Sequence, residues 1–543
     1  MKKIITIALS AIACMSLVSC LKDLDAFPLN PYDSTSETAY NDQSSYLKGL
    51  AYLNANYSFV SQNSAGDNDL HFSDSGQSEL LRQWFNMNDL CTGSLDIGWP
   101  DSYIISINDH SWTNADNTAV TAVYTRCMNG IVLCNEYLLQ TTDEKVSLRG
   151  HDAFKSEIHQ YRAEARFHRC MYYYILLDLF GRPPKAMEAN IGGELPTQFT
   201  RTELFEWLET ELKELSEDSS DMPAKGKVAY PRPTKDAARA LLARMYLNAE
   251  VYTGTARWED AKTYAKKVID NGYSLHPKYQ ELFMQDNGKT CSGDEFIFAV
   301  EYDAAKAQSW GGTTTLSCAA FDDPMNEAVA AYLGITEVNY VSADKWNGYH
   351  IPISYVEENF ELGGVNWDGT GLGYDPAKSD KRLFLYNAGA AAKDYASNLS
   401  STGWRCWKWA YLYSDGTIFH RGGEETEDWK LSSADLAIFR LPEMYYIYAE
   451  SDARLHGGST SDATAVGYIK ALRDRAGLST PASLSVAFIL KDKAAEYLWE
   501  GQRRQDEIRL GIFDSDPHRY VYPILETDIA ANPDNITQNE GYK

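Results

Sequence analysis

Apolar residues recur at helical spacing through much of the chain. In residues 154–181, Ile158, Tyr161, Ala165, Cys170, Tyr173, Leu176, Leu177 and Phe180 make one stripe, and Gly181, Pro183 and Pro184 stop it. Residues 201–218 are amphipathic, with Thr200 placed to cap. The stretch 233–254 opens on Thr234 and closes on Gly254, and 257–273 follows after a short turn. Further helices are predicted over 440–458, with Pro442 in the first turn, then 463–477 and 485–511. Between about 290 and 435 the helical period fades into Gly, Asp, Asn, Ser and Trp, with the strand candidate "EFIFAVEY" at 295–302.

The segments 233–254 and 257–273 read as an antiparallel pair. Ala243, Tyr246, Ala261 and Ala265 supply the small and aromatic positions that let two helices nest. The segments 440–458 and 463–477 read as another pair, and such pairs stack into a curved solenoid. The predicted fold is mostly α: a tetratricopeptide-repeat-like scaffold over about 40–290 and 435–515, carrying an irregular insertion over about 290–435. Long loops on a rigid scaffold are where binding residues concentrate.

The first twenty residues are a separate element. Lys2 and Lys3 precede an apolar stretch over 4–18, too short to span a bilayer, and "LVSC" at 17–20 has the form of a lipobox. Residues 1–19 are expected to be removed as a signal peptide, leaving Cys20 as the lipid carrier and residues 20–543 as the mature body. Membrane attachment would then be through the lipid anchor only.

Net charge is −26, and losing the two leader lysines makes it more negative. Such a surface repels phosphate backbones, so nucleic acid is not an expected partner. The cysteines beyond Cys20 contain no C-x-x-C pair, which argues against a zinc knuckle and for buried free thiols.

Catalytic signatures are absent from the sequence. None of the ten histidines precedes a glutamate, and there is no phosphate loop, G-x-G-x-x-G helix opening or G-x-S-x-G elbow. His159 and His168, nine apart on one predicted helix, are expected to be satisfied surface or core residues. "NWDGTGLGYD" at 366–375 has some features of a calcium loop but lacks the closing Glu. No catalytic residue and no metal ligand is assigned, and the expected protein is not an enzyme.

Aromatic residues are the anomaly, with 13 tryptophans and 36 tyrosines. Trp99 stands between Gly98 and Pro100, Trp310 precedes Gly311 and Gly312, Trp346 lies in "ADKWNGY", and Trp367 stands between Asn366 and Asp368. Turn chemistry of this kind marks loops. Trp207, Trp258 and Trp499 fall at helical positions and are expected in the core. A loop indole suits the apolar face of a pyranose. Covering one face removes about 50–60 Å² from water, worth roughly 1–1.5 kcal/mol, so three faces reach only about millimolar affinity before polar contacts. A polymer offering many repeats would suit such a site. The bland alternative is that each ring plugs a seam between loop and helices.

Several stretches together resemble the SusD/RagB family of Bacteroidota outer-membrane lipoproteins: "CLKDLD" (20–25), "FNMNDL" (85–90), "RAEARFHRCMYYYILLDLFGRPP" (162–184), "WGGTTTLSC" (310–318), "DLAIFRLPEMYYIYAES" (435–451) and "YLWEGQRRQDEIRLGIF" (497–513). The resemblance implies a helical scaffold with a glycan-binding face, at the cell surface over a SusC-like TonB-dependent transporter. It implies starch or a maltooligosaccharide-type α-glucan, held by an aromatic arc on Trp99, Trp310 and Trp346, with Asp74 and Arg82 bonding sugar hydroxyls. The position of Trp310 is a tyrosine in starch-binding members, and the loop 92–98 has lost a companion tryptophan, so another glycan is the nearest alternative. No cofactor is expected; a structural calcium near Asp435 is implied by the resemblance alone. The other readings are a peptide- or protein-binding scaffold and a lipid-anchored glycoside hydrolase, the latter needing two carboxylates at fixed separation in a groove.

Overall fold

The computed structural model describes residues 38–61, 66–113, 117–336, 341–342, 344–366, 370–387, 403–419 and 430–542. The leader, Cys20 and Trp367 lie outside them, and so does part of the calcium-like loop.

The scaffold is built from α1 (Gln43–Ala55), α2 (Leu80–Phe85), α3 (Thr118–Gln140), α4 (Lys155–Leu179), α5 (Arg201–Ser216), α6 (Lys235–Leu247) and α7 (Trp258–Ile269). After the insertion, which contains α8 (Gly312–Cys318) and α9 (Asp323–Leu333), come α10 (Leu441–Leu455), α11 (Ala463–Ala476), α12 (Val486–Glu496) and α13 (Arg503–Leu510). Helices adjacent in the chain pack on one another from α3 to α7, and α7 then packs on α10. The solenoid therefore continues across the insertion as though it were absent, which is the tetratricopeptide-like arrangement that the periodicity predicts.

Local chemistry accounts for the helix limits. Thr200 and Glu203 form a reciprocal capping box at the start of α5, and Gly477, at φ 79°, ends α11. Ala243, Tyr246, Ala261 and Ala265 are fully buried where α6 meets α7, with the Tyr246 and Tyr264 rings 5.5 Å apart. Helix α3 is not among the segments that periodicity picks out. It is buried along much of its length, as α4 is, but no glycine or proline closely follows Gln140 to mark its end. Its Gly130 lets it cross α4 closely: a Cβ there would lie 2.5 Å from the Tyr172 ring.

Two expectations are corrected. The helix predicted over 485–511 is broken between α12 and α13, where Trp499 (φ 68°) and Gly501 (φ 72°) turn the chain left-handed. Trp499 is thus a fully buried turn residue, donating its indole N–H to the Leu316 carbonyl at 3.0 Å. Trp207 and Trp258 do lie on helices, but both are half-buried, each with an arginine over its ring (Arg169 and Arg454).

Strand content is small. The five-residue strands β2 (Phe296–Val300) and β6 (Leu436–Arg440) pair antiparallel, Phe296 opposite Arg440 and Val300 opposite Leu436, and so close the base of the insertion. Within it, β4 (Leu385–Asn387) pairs with β5 (Trp404–Cys406). The two-residue pair β1 (Asp96–Ile97) and β3 (Tyr349–His350) ties an N-terminal loop to the insertion. Cys91, Cys127, Cys134, Cys170, Cys291, Cys318 and Cys406 are free and buried, and burial raises each thiol pKa. His168 is buried beside the Tyr57 hydroxyl and desolvation lowers its pKa to about 3, while His159 pairs with Asp143 on the surface.

Candidate functional site

The β1–β3 ladder brings two of the loop tryptophans together. The Gly98 amide donates to the Gly348 carbonyl at 2.6 Å, and the Trp99 indole N–H donates to the Trp346 carbonyl at 2.9 Å. The turn bearing Trp346 is held from below: the Trp346, Asn347 and Gly348 amides donate to the carbonyls of Cys318, Phe321 and Ala319. Asn347 adopts φ 47°, and a Cβ on Gly348 would lie 1.9 Å from the Trp99 ring. A side chain at 348 is therefore incompatible with the seat of Trp99.

Trp310 arrives on the loop before α8. Its carbonyl accepts from the Thr315 hydroxyl at 3.0 Å, and its ring packs at the edge of a cluster formed by Ala304, Cys318, Tyr411, Phe419 and Leu431. The three indoles lie in a row with Trp346 at the centre. Trp99 and Trp346 have ring centres 6.4 Å apart and planes tilted by 52°; Trp346 and Trp310 are also 6.4 Å apart, tilted by 37°. All three are half-buried, with one side packed and another open to a cleft of about 550 Å³. They are neither scattered nor enclosed. That volume lies within the usual span for small-molecule sites, roughly 300–1,000 Å³.

Asp74 and Arg82 line the same cleft. Asp74 precedes the turn Ser75–Ser78; one carboxylate oxygen accepts from the Gly76 amide at 3.0 Å and the other from Arg82 Nη1 at 2.8 Å. Arg82 projects from α2, almost wholly buried, with its guanidinium 5.9 Å from the Trp346 ring centre. Burial alone would lower the Arg82 pKa, but the neighbouring Tyr103 and Asp74 raise it further above its ordinary value. The cation is permanent, and Asp74 holds it beside the central indole.

All five residues singled out in the sequence thus meet in one cleft. Asp101 and Tyr103 also line it, and sequence reasoning missed both. They follow Trp99 directly in "WPDSY", where the turn itself was the only signal.

Asp435, the residue linked to calcium by resemblance, has both carboxylate oxygens committed to donors. One accepts from the Tyr230 hydroxyl at 2.8 Å and the other from the Tyr302 amide at 3.0 Å, and burial lifts its pKa to about 7. Among the described residues no group of three or more His, Cys, Asp or Glu is arranged to hold a metal ion. Asp286, Glu301 and Asp303 line the same cleft as Asp435; calcium takes six to eight oxygen ligands, and its presence here rests on the resemblance alone.

Fold and cleft define a class: a tetratricopeptide-like scaffold presenting a row of tilted aromatic platforms beside an arginine–carboxylate pair. A family model described as "SusD family" matches residues 242–516, and one described as "Starch-binding associating with outer membrane" matches residues 82–247. The chain belongs to the SusD/RagB family. It is 29% identical over its whole length, and over 99% of the relative, to the starch-binding protein SusD of Bacteroides thetaiotaomicron. Among solved structures it is similar to surface glycan-binding protein A from Bacteroides uniformis, at 18% identity and TM-score 0.65, covering 92% of this chain and 99% of that one. The protein of the same name from Bacteroides thetaiotaomicron, solved with laminarihexaose, matches with the same identity, TM-score and coverage. Among the described residues no helix is long and apolar enough to cross a membrane.

Proposed function

We propose that this chain is a non-catalytic, cell-surface glycan-binding lipoprotein that captures starch or maltooligosaccharides on the indole row and passes them to a TonB-dependent transporter. The observation that carries the reading is the tilt between successive rings, 52° and then 37°, at equal 6.4 Å spacing. A flat, ribbon-like glucan would be served by coplanar platforms. Platforms tilted to one another suit a glucan that curves, as α-1,4 chains do. Stacking supplies most of the affinity, and Arg82 with Asp74 orients the sugar through charge-assisted hydrogen bonds. Full-length similarity to a starch-binding protein supports the α-glucan. The transporter and the anchor at Cys20 rest on family membership and the lipobox.

A β-1,3-glucan is the second reading. Such chains also curve, and a structural neighbour holds laminarihexaose. Retention of the protein lacking residues 1–20 on gels containing amylopectin or laminarin separates the two. Retardation by amylopectin alone is expected; retardation by laminarin alone favours the second reading, and mobility unchanged by either polymer contradicts both.

A further inference from the structure

We propose that Glu79 is a positioning residue for this site, a buried carboxylate clamping the helix that carries Arg82 to the loop that carries Trp310. The inference rests on the reading of the cleft as a glycan site.

Glu79 is fully buried and caps α2, accepting from the Arg82 amide at 3.1 Å through Oε2. Its other oxygen accepts from the Tyr302 hydroxyl at 2.6 Å. The Gly312 amide and the Ser309 hydroxyl, on either side of Trp310, turn to the same carboxylate. The glycines next to Trp310 answer to this contact. A Cβ on Gly311 would lie 2.0 Å from Glu79 Oε2, and one on Gly312 would lie 1.9 Å from the Tyr302 hydroxyl. One side chain thus fixes two parts of the cleft that come from distant stretches of sequence.

Every partner is a donor, and none is a cationic side chain. The titratable neighbours are Tyr302 in direct contact, Asp435 behind it on the Tyr302 amide, and on its own helix Arg82, whose guanidinium is turned to Asp74. Burial without a counter-ion lifts the Glu79 pKa to about 7. Protonation turns one acceptor oxygen into a donor that faces donors, which loosens the clamp. The ionised form is the ordered one, so glycan affinity falls as pH drops through about 7 and binding releases part of a proton.

Calorimetric titration of wild type with maltoheptaose and laminarihexaose from pH 5.5 to 8.5 tests this, alongside Glu79→Gln, Asp435→Asn and Trp346→Ala. Asp435 also titrates near neutrality, so the variants must separate the two groups. Expected are tighter wild-type binding at pH 8.5 than at 5.5, a severalfold loss and a flat profile in Glu79→Gln, and a retained profile in Asp435→Asn. A Glu79→Gln protein that binds like wild type with a parallel profile overturns the clamp while Trp346→Ala still reports on the site. A wild type that binds neither sugar overturns the glycan reading itself, and the clamp with it. Should Glu79→Gln fail to fold, Tyr302→Phe removes one donor and should move the midpoint of the profile upward; an unmoved midpoint overturns the proposal.

Discussion

The Trp99 indole N–H donates to the main-chain carbonyl of Trp346 across 247 residues of sequence, at 2.9 Å. The Trp99 ring is thereby fixed against the turn that carries Trp346. Such preorganisation lowers the ordering cost of binding. Trp99→Phe keeps a flat ring but leaves that carbonyl without its donor. Its affinity for maltoheptaose should fall severalfold, measured by calorimetry, whereas a purely hydrophobic role would leave it near wild type.

Trp346 is the shared platform, its ring centre 6.4 Å from those of both Trp99 and Trp310. Trp346→Ala removes a stacking face worth roughly 1–1.5 kcal/mol and so should weaken binding about five- to twelvefold. The carbonyl that Trp99 uses remains, and the ring is only half-buried, so the melting temperature should stay near wild type. Loss of folding in this variant would assign the ring to the seam between loop and scaffold.

Gly348→Ala places a methyl group 1.9 Å from the present position of the Trp99 ring. The ring must swing aside, and the row loses its first platform. Affinity should drop about as far as for removing one stacked face, roughly tenfold, with circular dichroism unchanged.

Charge at the cleft sets what it accepts. Asp74 offsets Arg82, and Asp101 adds a further carboxylate to the lining. Neutral glucans should bind with little dependence on salt. Oligogalacturonates should be rejected at low ionic strength, where repulsion is least screened. Tight binding of an acidic oligosaccharide at low salt would contradict this.

Stability depends on a different cluster. Buried Glu496 accepts from Arg440 at 2.6 Å and Arg475 at 2.7 Å, with Arg382 at 3.5 Å. Burial alone would raise its pKa, but the three guanidiniums hold it down to about 2. A depressed carboxyl pKa stabilises the fold above the ordinary glutamate range, and that contribution is lost as pH falls toward 2. Denaturant midpoints should therefore decline on acidification below about pH 4.5. Glu496→Ala removes a carboxylate shared by three guanidiniums, which keep Glu295 and Glu500 (Arg440), Glu295 (Arg475) and Asp380 and Asp492 (Arg382), and should cost about 1.5–3 kcal/mol, read from the denaturant midpoint.

Much of this was legible in the sequence, for identifiable reasons. Helices such as Arg201–Ser216, with a capping residue and one apolar face, declared themselves. Trp99, Trp310 and Trp346 stood out because glycine and polar neighbours are poor surroundings for an indole. Helix Thr118–Gln140 has no glycine or proline stop such as Gly181, Pro183 and Pro184 give Lys155–Leu179, and the break at Trp499 is hidden because tertiary packing, not local propensity, forces its positive φ. Asp101 and Tyr103 gave no signal beyond the turn they share. The mutual tilt of the rings, which bears most on the ligand, depends on a ladder between residues 96–97 and 349–350 that no local pattern reveals.

The most direct test is a crystal structure of the protein with maltoheptaose. The account predicts consecutive glucose rings stacked across Trp99, Trp346 and Trp310, with sugar hydroxyls on Arg82 and Asp74. Glucose units seated on another surface, with this cleft vacant while calorimetry registers binding, would contradict it.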